Sequence, residues 1–215
     1  MNLSLFHLVR EPKIIKDKNP LLLLLHGYGS NEEDLFSFAP QLPDQYYIIS
    51  ARAPYPLPPY GNAWYAINFD AGMNKFSDNE QAIESRDAIA GFIDELMGTY
   101  PIDKDRVSLV GFSQGAILSY AVALTYPEKI QRVIALSGYL NTDIIDESVK
   151  TNELSGLRFY ISHGVADQVI PINWARNAPD YLKQLNIKSD YHEYNAGHGV
   201  TPQNFFDLLN WLKTS

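Results

Sequence analysis

A hydroxyl, a carboxylate and an imidazole stand at three breaks between apolar runs of this chain, as Ser113, Asp167 and His198. Together these groups can carry nucleophilic acyl transfer. A serine hydroxyl is a poor nucleophile at neutral pH. It needs a base within hydrogen-bond reach and a carboxylate to orient that base. Ser113 lies in "GFSQG", a Gly-x-Ser-x-Gly pentapeptide. Alone, the pentapeptide also fits an ordinary tight turn in which serine caps a helix. Its context favours the nucleophile: "RVSLV" upstream reads as a strand and "QGAILSYAVAL" downstream as a helix. That is the strand–turn–helix setting that projects a strained serine above the edge of a sheet, with Gly111 and Gly115 where side chains would collide.

Five histidines compete for the role of base. His7 and His192 fall inside strand patterns, His163 ends a strand before Gly164, and His26 follows the apolar run Leu21–Leu25. His198, in "NAGHGVTP" between the last strand and the last helix, is the best base. Asp167, in "HGVADQVIP" between a strand and a helix, is the carboxylate expected to orient it. An oxyanion formed during attack needs two donors. The backbone N–H of Gln114 supplies one. The turn in "LLHGYGS" supplies the other, with Leu25 or a near neighbour as the expected residue and His26 in a structural role.

These groups need a frame that brings them to one rim. "LSLFHLV" (3–9), "LLLLL" (21–25), "YYIIS" (46–50), "RVSLV" (106–110), "RVIAL" (132–136), "LRFYIS" (157–162) and "SDYHEY" (189–194) read as strands. Most are continuously apolar, as in strands covered on both faces, while the first and last suit an edge. Helices are expected from Ser30 and from Ser77, each with a glutamate three residues on, and from Thr201–Pro202. The last should bury Phe205, Phe206, Leu208, Leu209 and Leu212. Pro179 implies a kink or a junction of two short helices. Residues 52–79 read as a long aromatic loop without regular period. Alternating strands and helices predict an α/β fold with a mostly parallel central sheet, in one domain over 1–215.

Composition removes several functions. The formal charge of −8 and pI near 5.0 argue against nucleic acid and against docking on anionic membranes. Without cysteine there is no disulfide, thiolate metal site or cysteine nucleophile. No leader pattern opens the sequence, and Leu21–Leu25 is far too short to span a bilayer, so a cytoplasmic protein with no integral membrane association is expected. Two rival classes are a metal hydrolase built on His192, Glu193 and His198, and a non-catalytic binding module. The histidine spacing disfavours the first. The completeness of the Ser–Asp–His set disfavours the second.

"LLLLHGYGSNEEDL", "GFSQGA", "HGVADQVIP" and "NAGHG" together resemble the carboxylesterase and acyl-protein thioesterase family of cap-less α/β-hydrolases, over about residues 20 to 213. The order Ser113, Asp167, His198 is the one α/β-hydrolases use. The resemblance implies Ser113 as nucleophile, His198 as base, Asp167 as its orienter, and the Leu25 and Gln114 amides as oxyanion hole. It also implies cleavage of carboxylic esters, acyl thioesters or lysophospholipids without a cofactor, and frequent dimerisation. "NAWYAINFD" is similar to the family's substrate loop, which makes Trp64 a candidate acyl-pocket residue beside its alternative as a packed surface aromatic. Tyr28, Pro179 and the stretch 52–79 depart from the family's pattern. Between Leu136 and Leu157 only twenty residues are available, too few for a lid domain. An open, shallow cleft suited to short or medium acyl chains follows.

Overall fold

The pentaleucine run shows how the layers form. In the computed structural model, which describes residues 3–69, 75–150 and 153–214, each of Leu21–Leu25 is essentially without exposed surface. Side chains alternate across a strand. Leu21, Leu23 and Leu25 therefore enter one apolar layer, and Leu22 and Leu24 enter the other. A strand buried on both faces must lie inside a sheet, with helices above and below.

The strands in chain order are β1 (His7–Arg10), β2 (Asn19–Leu25), β3 (Tyr47–Ala51), β4 (Tyr55–Pro56), β5 (Asn62–Ala63), β6 (Ile67–Phe69), β7 (Lys75–Ser77), β8 (Ile102–Phe112), β9 (Arg132–Leu136), β10 (Arg158–Gly164) and β11 (Lys188–Tyr194). Seven of them form one sheet in the order β1-β3-β2-β8-β9-β10-β11. β1 runs antiparallel to β3, and the other pairs are parallel. The two strands with the least uniform sequences occupy the two edges. The helices are α1 (Glu33–Phe36), α2 (Asn79–Thr99), α3 (Gln114–Thr125), α4 (Ile172–Ala175), α5 (Asn177–Gln184) and α6 (Pro202–Thr214). Residues of α2 and α3 share a layer with Leu21, Leu23 and Leu25, while α1 and α6 cover the opposite face. None of the helices is long and apolar enough to cross a membrane among the described residues.

Several local expectations are corrected. The first helix does not begin at Ser30, whose carbonyl accepts from Asn62 N–H at 2.7 Å in a β-bridge. That pairing delays the helix, and Asn31 Oδ1 instead accepts the Glu33 N–H at 2.8 Å. Ser77 is likewise held in β7 opposite Ile67, so Asp78 caps α2 through the Gln81 N–H. Residues 52–79 are not one irregular loop. They contain two antiparallel ladders, β4 with β5 and β6 with β7. Two short helices meet at Arg176, and Pro179 lies in the first turn of the second, α5, where its missing N–H has no intrahelical acceptor. Phe206 is 59% exposed, because Asn204, Leu208, Trp211 and Leu212 make the buried stripe of α6. Between β9 and β10 the described chain carries two 3-10 turns, Thr142–Ile144 and Glu147–Lys150.

The central position of β2 makes a direct test. Leu23→Ala should destabilise the protein by about 2–5 kcal/mol in urea denaturation, through lost burial and an unfilled cavity. A cost below about 1 kcal/mol would contradict this packing.

Candidate active site

At the end of β8 the chain reverses into α3 through Ser113, whose φ of 53° and ψ of −115° lie in a region L-residues rarely adopt. Ser113 N–H donates to Leu136 O at 2.9 Å, which ties the turn to β9. The reversal is tight enough that flanking side chains cannot fit. A Cβ on Gly111 would stand 2.3 Å from Gly115 O, and one on Gly115 would stand 2.0 Å from Leu25 O. Ser113 heads α3, its carbonyl accepting the Ala116 and Ile117 N–H groups at 3.0 and 3.1 Å, so the positive end of the helix dipole starts at this residue.

The loops after β10 and β11 deliver the other two groups. Val165 N–H donates to Tyr194 O and Ala166 N–H to Ala196 O, both at 2.9 Å, which laces the loops together. A Cβ on Gly164 would stand 2.2 Å from Gly197 O, so only glycine lets them close. His198 Nε2 then lies 3.0 Å from Ser113 Oγ, and His198 Nδ1 lies 2.7 Å from Asp167 Oδ2. The Asp167 side chain has no exposed surface. Burial by itself pushes this carboxyl up. The N–H groups of Ile170 and Val169, which donate to Oδ1 at 2.9 and 2.8 Å, and the His198 ring outweigh that and hold it below its ordinary value. An ionised Asp167 only accepts, so Nδ1 carries the proton and Nε2 is free to accept from the serine.

Sequence patterning gives His163 no role at the site. In the fold it is buried, and its Nε2 lies 2.8 Å from Ile170 O and 3.2 Å from Asp167 Oδ2. The histidine four residues before the acid, in "HGVAD", is the signal that could have found it. The metal-hydrolase grouping disperses in the fold. His192 stacks on Tyr160 at 5.0 Å, Glu193 accepts from Arg176 Nε at 2.7 Å, and His198 faces Ser113.

Two expected residues lie away from the cleft. Leu25 is the last residue of β2, fully buried between Ala51 and Gly111, and takes no part in the cleft lining. The turn residue that lines the cleft beside Ser113 and Gln114 is Tyr28, and its N–H donates to no backbone oxygen among the described residues. Trp64 is neither a surface residue nor a cleft residue. It has no exposure, its Nε1–H donates to His26 O at 2.9 Å, and its backbone N–H donates to Gln114 Oε1 at 2.8 Å. The neighbouring Tyr65 reaches the cleft instead. His26 is structural: Nδ1 donates to Gly27 O at 2.7 Å and Nε2 accepts from Ala53 N–H at 3.0 Å. Its burial lowers its basicity, in keeping with a neutral ring.

Above Ser113 opens a cleft of about 690 Å³, walled by Tyr28, Tyr65, Ile117, Tyr139, Val169 and Trp174. A family model described as Phospholipase/Carboxylesterase matches residues 9–215. The chain belongs to this family of hydrolases. Acyl-protein thioesterase 1 of Yarrowia lipolytica is 30% identical to it, over 70% of this chain and 67% of that protein. Acyl-protein thioesterase 1 of Candida albicans is 25% identical over 95% and 96% of the two chains. The crystal structure of a carboxylesterase from Mesorhizobium loti, 20% identical, shares the fold with a TM-score of 0.84 over 100% of this chain and 97% of that one.

This member of the phospholipase/carboxylesterase family makes its reversal where glycine alone fits, and this has a measurable consequence. Gly111→Ala should lose on the order of 3 kcal/mol or more, because the colliding atoms are backbone and cannot swing aside. Chemical denaturation measures it. A variant as stable as the parent would contradict the observed turn.

Proposed function

We propose that this chain is a serine hydrolase that cleaves carboxylic esters of short to medium acyl chains through an acyl-enzyme. Residues 1–215 act as one catalytic domain without a cofactor. The observation that carries this reading is the contact chain Ser113 Oγ–His198 Nε2–Asp167, at 3.0 and 2.7 Å. His198 takes the hydroxyl proton as Oγ bonds to the acyl carbon. The C=O electron pair moves onto the carbonyl oxygen. The Gln114 and Tyr28 N–H groups receive that oxyanion, Tyr28 standing in place of the expected Leu25. Collapse of the intermediate breaks the bond to the leaving oxygen, which takes the proton from His198. Water then repeats the sequence on the acyl-enzyme, regenerating Ser113 and releasing the acid.

General-base assistance contributes about 10²–10⁴-fold, and each oxyanion donor about 3 kcal/mol. Asp167 keeps its charge to stabilise the imidazolium and does not itself take the proton. The names of the relatives from Yarrowia lipolytica and Candida albicans support acyl thioesters as a second substrate class, since the same steps release a thiol. The cleft, bordered on one side by the 3-10 turn Thr142–Ile144 rather than by a folded lid among the described residues, leaves room for an acyl group presented on a larger molecule.

Ser113→Ala should lower kcat for p-nitrophenyl butyrate by at least about 10⁴-fold, with an unchanged circular dichroism spectrum. Turnover within about tenfold of the parent would remove Ser113 as nucleophile.

A further inference from the structure

The charge inside the cleft is lopsided. Its described lining includes no lysine or arginine, and Asp143 is its one carboxylate. Asp143 is exposed and joins no salt bridge among the described residues. Arg86, on α2 nearby, is already committed. Its Nη1 donates to Ile144 O at 2.8 Å and its Nε to Asp87 at 2.7 Å. The N-terminus of α2 is answered by its own cap, Asp78. Asp143 is therefore not required to neutralise a protein cation.

Its neighbours are aromatic or amide. Tyr139 and Trp174 meet edge to face, with ring centroids 5.1 Å apart at 71°, and Trp174 is 50% exposed. The field of Asp143 reaches the Tyr139 hydroxyl, where it adds to the upward push of burial. Asn141 bridges the two sides of this end. Its Oδ1 accepts the Asp143 N–H at 3.1 Å and its Nδ2 approaches Asn79 Oδ1 at 3.5 Å. A carboxylate beside π-faces attracts ammonium groups and repels anions.

The fold also says which part of a substrate meets this end. Ile144, next to Asp143, packs in the layer of α2 and α3. Phe112, just before Ser113, and Val200, two residues after His198, pack in the layer of α6, and the Phe112 ring lies 5.0 Å from the His198 ring. His198 must protonate the leaving group, so the leaving group lies toward α6 and the acyl arm extends the other way, toward Asp143.

We propose that the cleft selects acyl groups bearing a distal ammonium, held against Asp143 and the Tyr139–Trp174 ring pair. This rests on the hydrolase reading above and adds the charge of its substrate. Exposed pairs gain little each, but attraction of a cation and repulsion of an anion act together. The summed preference is about tenfold.

The test uses three p-nitrophenyl esters: 4-(trimethylammonio)butanoyl, its uncharged isostere 5,5-dimethylhexanoyl, and adipyl. Rates are corrected for uncatalysed hydrolysis in the same buffer. In the parent protein kcat/KM should fall in the order ammonium, neutral, carboxylate, with about tenfold between the ends and a narrower span at high salt. Asp143→Asn should shrink the ammonium-to-carboxylate ratio, and Asp143→Lys should invert it. The ratio within each variant is the readout, so a general loss of activity does not imitate the effect. Equal rates for the three esters, faster adipyl cleavage, or a ratio unchanged in both variants would overturn the proposal. In that case hydrolysis of the uncharged ester would leave the serine-hydrolase reading standing. Turnover of none of the three would overturn both.

Discussion

The site depends on a carboxylate kept charged where water does not reach it. Asp167 has no exposed side-chain surface, yet two backbone N–H groups and the His198 ring hold it below its ordinary value. A neutral acid in the same place could donate a proton to His198 Nδ1 and leave the wrong tautomer facing Ser113. The tight turn from Asp167 to Ile170 is thus as much a part of the chemistry as the three side chains. His163 extends the same arrangement, because its Nε2 approaches both the Asp167 carboxylate and the Ile170 carbonyl.

Holding the hydroxyl against that histidine requires backbone strain elsewhere. Ser113 sits at a positive φ, and the sheet and α3 approach so closely that Gly111 and Gly115 have no room for a Cβ. Packing supplies the restraint. α3 is buried from Gln114 to Leu124, its small residues Gly115, Ala116, Ser119, Ala121 and Ala123 interspersed with larger apolar ones, and the central strands beside it are buried on both faces. Gln114 connects this interior to the cleft wall, since its side chain holds the backbone of Trp64 and Tyr65 at 2.8 and 2.7 Å. A residue expected to offer only its amide also positions the wall through its side chain.

What can be read from the sequence follows physical lines. The seven sheet strands are legible because a short, continuously apolar run such as Leu21–Leu25, in a chain of this composition, fits a strand covered on both faces. Ser113, Asp167 and His198 are legible because each stands in a short polar or glycine-containing break between a strand pattern and a helix pattern, where a side chain can reach the edge of a sheet. Which residue of "LLHGYGS" meets the cleft is not legible, because a backbone amide carries no residue signature; Leu25 closes β2 inside the sheet and Tyr28, in the turn beyond it, lines the cleft. The place of Trp64 is hidden because the irregular stretch around it gives no period from which to assign a face; Tyr65 takes the cleft while Trp64 goes inside. Ser30 and Ser77 carry valid capping patterns, but long-range pairing with Asn62 and Ile67 overrides them. The family membership fits the motif order.

The most direct test of the account is covalent labelling by a fluorophosphonate, read by intact mass and peptide mapping. One adduct is predicted, on Ser113, forming about 10²-fold or more slowly when His198 is replaced by Gln. An adduct on a different residue, an unmodified Ser113, or equal labelling rates with and without the imidazole would contradict it.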